Sequence, residues 1–386
     1  MKIANRMSKV PDYIFAELES IENNLISQGE DIINLGIGDP DIPTPEFLVQ
    51  KMVQYVEEKD NYNYSPYAGI DEFNMAVADY YKKNFDVQLD YKKEVITLIG
   101  SKEGIAHLFL SVTDIGDYVI IPNPSYPVYE AAAEISGCSV YKMSLAEKNN
   151  YIPKLENIYE DVAKRAKLLI VNYPNNPTGA LANDEFYKKL VEFGKKNNII
   201  IVNDSAYINI CNNKNQRLSL LQFDKEKGHC IEFGTLSKSY NMSGWRIGYA
   251  AGCSEVIERL LLLKGNFDSG QFIPIQKTGA YALTHGDAFI DYINKIYKKR
   301  REIIEDALLK KNIHIYNSNG TFYIWFKVPS GYKSYEFSQL MLKKSGIMIT
   351  PGTAFGDLGE GYCRISLTAS DERIKSAAQR IIEMDF

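Results

Sequence analysis

Between Glu94 and Gly252 one pattern recurs: an apolar run of four or five residues, often followed by a cluster of small and polar residues. The runs are 95–99, 118–121, 168–171, 199–202, 230–233 and 247–251. Uninterrupted apolar runs of this length predict strands of a mostly parallel sheet that is covered on both faces. Stretches with helical spacing, 103–112 and 184–196, separate several of them. Strand and helix in alternation predict an open α/β domain. After about Ile275 the texture changes. A long helical pattern covers 276–311 with a break near 284–287, then strand-like runs at 320–328 and 346–350 and a closing helix at 371–384. This predicts a smaller α+β domain. The first 35 or so residues fit neither pattern and are expected to pack with that domain or reach toward a partner subunit.

Composition narrows the function. The chain has 386 residues, which favours two domains over one small core. Net charge is −5 and no basic tract reaches five residues, which argues against a nucleic-acid partner. No stretch approaches the roughly 18 apolar residues of a membrane span, and the start lacks a signal-peptide core, so the cytoplasm is the expected compartment. The five cysteines are scattered without a C-x-x-C pair, as expected of reduced thiols. The four histidines show no metal-ligand spacing. Neither a zinc site nor a histidine triad is expected, and no metal is assigned. Proton transfer must then use another group, and a lysine with a bound cofactor is one option.

Open α/β sheets bind ligands beyond the carboxyl ends of their strands. Four runs here end in polar clusters: Gly100-Ser101-Lys102-Glu103-Gly104, Asn172 to Gly179, Asn203-Asp204-Ser205-Ala206-Tyr207, and Gly234-Thr235-Leu236-Ser237-Lys238. Together they predict one site. Each member also has an ordinary reading. Lys238 could be a solvated charge, but desolvation would make it a nucleophilic amine. Asp204 could close an Asx turn. Ser101 could simply cap a helix, or that helix start could hold a phosphate. The run Gly36-Ile37-Gly38-Asp39-Pro40-Asp41 lacks the third glycine of a dinucleotide fingerprint, and Pro40, Pro43 and Pro45 break the strand–turn–helix unit such a fingerprint needs.

The spacing of Ser237-Lys238 to Gly244-Trp245-Arg246-Ile247-Gly248, with Asn175-Asn176-Pro177-Thr178-Gly179 and Asp204 to Tyr207, resembles the class I and II aminotransferases of the aspartate aminotransferase fold. That resemblance implies a fold type I architecture: an α/β large domain with a mostly parallel central sheet, plus a smaller α+β domain. It places an N-terminal arm and part of the small domain at 1–45, the cofactor domain at 46–285 and the small C-terminal domain at 286–386. It implies pyridoxal 5'-phosphate as cofactor, bound covalently by Lys238. Asp204 would face the pyridine nitrogen, and Asn176 and Tyr207 the ring's 3-oxygen. Tyr126 would stack on the ring. Ser101, Lys102, Thr235, Ser237 and Arg246 would surround the phosphate, with Tyr64 reaching the phosphate of a neighbouring subunit. Arg364, Gly38, Asn176 and Tyr13 would contact the substrate. The expected partners are amino acids, 2-keto acids and a second copy of the chain in a homodimer with composite sites.

Within that family the runs at 35–41, 100–104, 173–179, 240–242, 268–270 and 351–361 are most similar to the LL-diaminopimelate aminotransferase group. The resemblance implies LL-diaminopimelate and 2-oxoglutarate as substrates. Some positions depart from it: Ser205 replaces a common alanine, and Gly265 and Phe267 flank Asn266 where serine and isoleucine are usual. No arginine lies between Lys264 and Lys277, which disfavours a plain aspartate aminotransferase. A transaminase for another amino acid or a β-lyase of the same fold stays open at this level. A regulator fused to a DNA-binding helix pair finds no room in the first 35 residues.

Overall fold

A computed structural model describes residues 4–8, 10, 14–211 and 213–385. Helix α1 (Ile14–Ser27) leads into strand β1 (Ile33–Asn34). Seven strands then build the central sheet: β2 (Val95–Leu98), β3 (Tyr118–Asn123), β4 (Ser139–Ser144), β5 (Ala166–Val171), β6 (Ile200–Asp204), β7 (Cys230–Thr235) and β8 (Gly248–Gly252). Their order is β2-β8-β7-β6-β5-β3-β4, with β8 antiparallel to both neighbours and the other pairs parallel. The architecture is the α/β one expected, with all six apolar runs found as strands.

The reason those runs are continuous is visible residue by residue. Side chains alternate across a strand. In β5, Leu168 and Ile170 enter one core with Ile105, Phe109 and Phe233, while Leu169 and Val171 enter another with Phe73, Tyr187 and Ile201. Each fully buried leucine or isoleucine contributes about 1.5–3 kcal/mol. Edge strand β4 lies outside the predicted set. Its sequence, Ser139-Val140-Tyr141-Lys142-Met143-Ser144, buries only Met143, so no apolar run marks it. Lys142 pairs with Glu130 at 2.8 Å on this open edge, a charge that discourages further strand pairing.

The smaller body holds an antiparallel sheet of β11 (Thr350–Pro351), β12 (Tyr362–Ser366) and β9 (Tyr323–Lys327), and a short parallel pair of β1 with β10 (Ile347–Met348). The helical stretch is broken as expected, into Ile273–His285 and Asp287–Lys310 with Gly286 between them. Ile33 and Leu35 share a core with Ile304, Phe337, Ile347 and Ile374, so the early segment packs with the smaller body. No helix among the described residues is long and apolar enough to cross a membrane.

Candidate active site

The carboxyl ends of β2, β5, β6 and β7 open into one cleft of about 640 Å³. Ser101, Lys102, Tyr126, Asn176, Asp204, Tyr207, Thr235, Ser237, Lys238, Arg246, Gly38 and Arg364 all line it. Residues as far apart as 38 and 364 therefore meet in one space. Two further expected contacts lie elsewhere: Tyr64, expected at a neighbouring subunit's phosphate, is 92% exposed and outside its own chain's cleft, and Tyr13 lies outside the described residues.

Lys238 follows β7 on a short helix, and its Nζ donates to the Gly38 carbonyl at 2.9 Å. Burial lowers its ammonium pKa to about 8; nearby Asp39 opposes that shift, while Arg246 and Arg364 add to it. Gly38 is required there, because a Cβ would lie 1.9 Å from the Tyr323 hydroxyl oxygen. Asp204 ends β6 and is 5% exposed. Burial raises its carboxyl to about 6, against the hydrogen bond that Tyr129 donates at 2.7 Å. Asn172 holds the same strand end: its Nδ2 donates to the Asp204 carbonyl at 2.6 Å and its Oδ1 accepts the Asn176 N–H at 2.8 Å. Tyr207 and Tyr323 share a hydroxyl contact at 2.9 Å, and burial keeps the Tyr207 phenol protonated far above its ordinary range.

Arg246 crosses the turn that begins the Ser101–Val112 helix. A Cβ on Gly100 would lie 2.6 Å from Arg246 Nη2, so the guanidinium needs bare backbone beneath it. Arg246 itself has φ 55°, a left-handed backbone rare for a residue with a side chain. Gln271 secures this geometry by donating to the Trp245 and Arg246 carbonyls at 2.8 and 2.6 Å. Glu103 closes the same turn by accepting the Ile99 N–H at 3.0 Å.

Arg364 on β12 is 1% exposed. Its Nη1 donates to Asn176 Oδ1 at 2.7 Å and its Nη2 to the Gly36 carbonyl at 2.6 Å. Among the described residues its Nε is buried without a hydrogen-bond partner. The rings of Tyr323, Phe355 and Phe15 surround it, with centroids 4.0, 4.8 and 5.3 Å from the guanidinium carbon.

Sequence reasoning missed Tyr129, Tyr323 and Phe15, and gave Asn172, which opens one of the predicted polar clusters, no role of its own. Tyr129, in the first turn of the helix that follows Tyr126, meets the Tyr126 ring edge-on at 6.0 Å, a contact no local pattern marks. The other three are supplied by a strand end, by β9 and by α1, whose convergence is purely tertiary.

The class I and II aminotransferase profile matches residues 30–381, nearly the whole chain. The chain belongs to this family. It is 48% identical over 380 residues to the LL-diaminopimelate aminotransferase of Aquifex aeolicus, covering 98% of each chain. It is 44% identical to that of Halothermothrix orenii, covering 100% of this chain and 99% of the relative. Among solved structures, substrate-bound BacF from Bacillus subtilis superposes with TM-score 0.95 at 30% identity, over 99% of this chain and 98% of that one. The aspartate aminotransferase of Thermotoga maritima gives 0.92 at 28% identity, over 99% of both chains. The protein is accordingly a transaminase dependent on pyridoxal phosphate.

The cleft fits that cofactor on its own terms. It holds a desolvated amine and, at another strand end, a buried carboxylate suited to a ring cation. It also holds a helix start overlaid by an arginine, where a phosphate finds N–H groups and a bidentate fork.

Proposed function

We propose that this transaminase takes the amino group of LL-diaminopimelate and delivers it to 2-oxoglutarate. The observation that carries the chemistry is the convergence of Lys238, Asp204, Arg246 and Arg364 on one cleft. The substrate reading is supported by the full-length relatives, which share that printed activity at 40–48% identity.

When bound, pyridoxal phosphate supplies an aldehyde carbon that accepts the amino group and an electron-poor ring that bears the charge left by the α-proton. Lys238 would hold it through its amine and would serve as the base and acid that moves the substrate's α-proton. Its lowered pKa keeps a useful fraction neutral near pH 8. Asp204 would hold the ring nitrogen, and that cation would in turn keep its carboxylate ionised. Tyr207 and Asn176 would donate to the 3-oxygen, and Tyr126 would lie along the ring. Ser101, Lys102, Thr235, Ser237 and Arg246 would hold the phosphate. Arg364 would bind the substrate α-carboxylate, its free Nε–H adding to the remaining donors of the fork. The enzyme works in the cytoplasm as a homodimer, in which exposed Tyr64 serves the partner's site.

The test is a half-reaction panel. Holoenzyme is mixed with single amino acids, and loss of the visible band of lysine-bound cofactor is followed. LL-diaminopimelate should react far faster than alanine or lysine. Equal rates would reject the substrate while leaving the transaminase standing.

A further inference from the structure

Helix α1 has two faces with different neighbours. Ile14, Glu17, Leu18 and Ile21 border a small crevice with the Ser334–Ser345 helix and with Met348, Ile349 and Pro351. Phe15, Ala16 and Glu19 line the active-site cleft. Residues four apart on a helix share a face, so Phe15 and Glu19 stand one above the other along the cleft wall. A run of hydrogen bonds fixes that wall relative to Arg364. Glu22 accepts from Asn34 Nδ2 at 2.5 Å, and Asn34 Oδ1 accepts the N–H groups of Gly36 and Ile37 at 2.9 and 3.1 Å. The Gly36 carbonyl then accepts from Arg364 Nη2.

This fixes a ruler. The Phe15 ring lies 5.3 Å from the Arg364 guanidinium. Glu19 is one turn further along α1, roughly 6 Å by helix rise. In diaminopimelate the two amino-bearing carbons are separated by four carbon–carbon bonds, about 5 Å when extended. A substrate whose α-carboxylate rests on Arg364 thus spans a length comparable to the step from Phe15 to Glu19. Glu19 is exposed, and among the described residues no cation pairs with it. The cations lining the cleft are Lys102, Lys238, Arg246 and Arg364, on the strand-end and β12 walls rather than on α1. Of the other two carboxylates lining the cleft, Asp204 is buried on β6, and Asp39 comes directly after the glycine that holds Lys238.

We propose that Glu19 is a specificity-determining residue that receives the distal ammonium of the substrate, favouring diaminopimelate over dicarboxylic amino acids of equal length. The proposal rests on the substrate reading above. It predicts what should happen when that ammonium is removed: L-2-aminopimelate has the same chain and both carboxylates but no distal amine.

Steady-state rates on holoenzyme give the ratio of kcat/KM for LL-diaminopimelate over L-2-aminopimelate. In E19Q, which keeps the side chain's size at an exposed position, this ratio should fall roughly tenfold, with most of the change in KM. E19K should lower it further by also attracting the second carboxylate of aminopimelate. Calorimetric binding in a K238A background, which does not turn over, should show the same loss for diaminopimelate alone. A ratio in E19Q within about twofold of wild type, or a change confined to kcat, overturns the role of Glu19. If wild-type enzyme handles diaminopimelate no better than alanine, the substrate reading itself fails and the role of Glu19 falls with it. The wild-type measurement separates that failure from the first.

Discussion

Asp204 destabilises the empty protein. Its folded pKa of about 6 lies above the ordinary 3.8, so the native state favours the protonated form. Folding stability therefore falls as pH rises from about 4 through 6, and the penalty is complete above that. Asp204→Asn should stabilise the apoprotein at pH 8, by on the order of 2–3 kcal/mol less whatever the Tyr129 hydrogen bond loses. The same change should cut turnover by orders of magnitude and weaken cofactor binding, since the ring cation loses its counter-charge. Thermal melts of apoprotein and rates of holoenzyme check the two halves. Lys238 has the opposite chemistry and the matching logic. Its folded pKa of about 8 lies below 10.5, so the native state disfavours the ammonium below about pH 8 and the penalty fades as pH rises toward 10.5. The neutral amine is the nucleophile, so capture of pyridoxal phosphate by apoprotein should speed up through about pH 8 and then level. Stopped-flow absorbance would show it, and a rate independent of pH from 6 to 9 would contradict it. Both residues were legible in the sequence because each comes after a continuous apolar strand. The hold of Tyr129 and Asn172 on Asp204 was not, because a helix tyrosine and a strand-end asparagine carry no local mark of what they face.

At the scale of elements, strand ends set the site and loops hold it in register. Gln276 is the best example. It is fully buried on the Ile273–His285 helix, its Oε1 accepts the Ile70 N–H at 2.8 Å, and its Nε2 donates to Ser65 and to the Gln271 carbonyl at 2.7 and 2.6 Å. Gln271 in turn holds the Arg246 carbonyl. One amide thus joins the Tyr64 loop to the arginine proposed for the phosphate. Gln276→Leu leaves the Ile70 N–H without its acceptor and should cost about 2–3 kcal/mol, read from urea unfolding. It should also raise the cofactor dissociation constant, which a merely local packing defect would leave alone. The sequence disclosed the elements themselves well, since both-face burial writes continuous apolar runs. It did not disclose β4, where one face meets solvent, nor α1 as a cleft wall. The stripe of α1 that faces the cleft contains Phe15, Ala16 and Glu19, a mixture with no amphipathic signature.

At the scale of the molecule, the arm, the sheet and the small body enclose one cleft, and a second copy should complete it. Tyr64 stands exposed on a loop that also presents Tyr62 and Tyr67, and Phe267 and Phe272 add to the chain's exposed apolar surface. If Tyr64 serves the partner, a hybrid dimer of Y64A and K238A chains has one intact site. Co-expressed hybrids should then exceed both parents in activity, whereas a Tyr64 acting within its own chain leaves the hybrid no site to gain. Twelve of the cleft-lining residues could be picked out from motifs spread over the whole chain, because most of them follow apolar runs that the sequence marks. The expected partner contact of Tyr64 came from the family resemblance alone, since nothing in a single chain's periodicity marks one. The chemistry of the whole cleft turns on where the cofactor attaches. Borohydride reduction of holoenzyme, then peptide mapping in a mass spectrometer, fixes it to its amine. The label should appear on the peptide carrying Lys238 and vanish in K238A, and a label on any other lysine of wild-type protein would contradict the assignment.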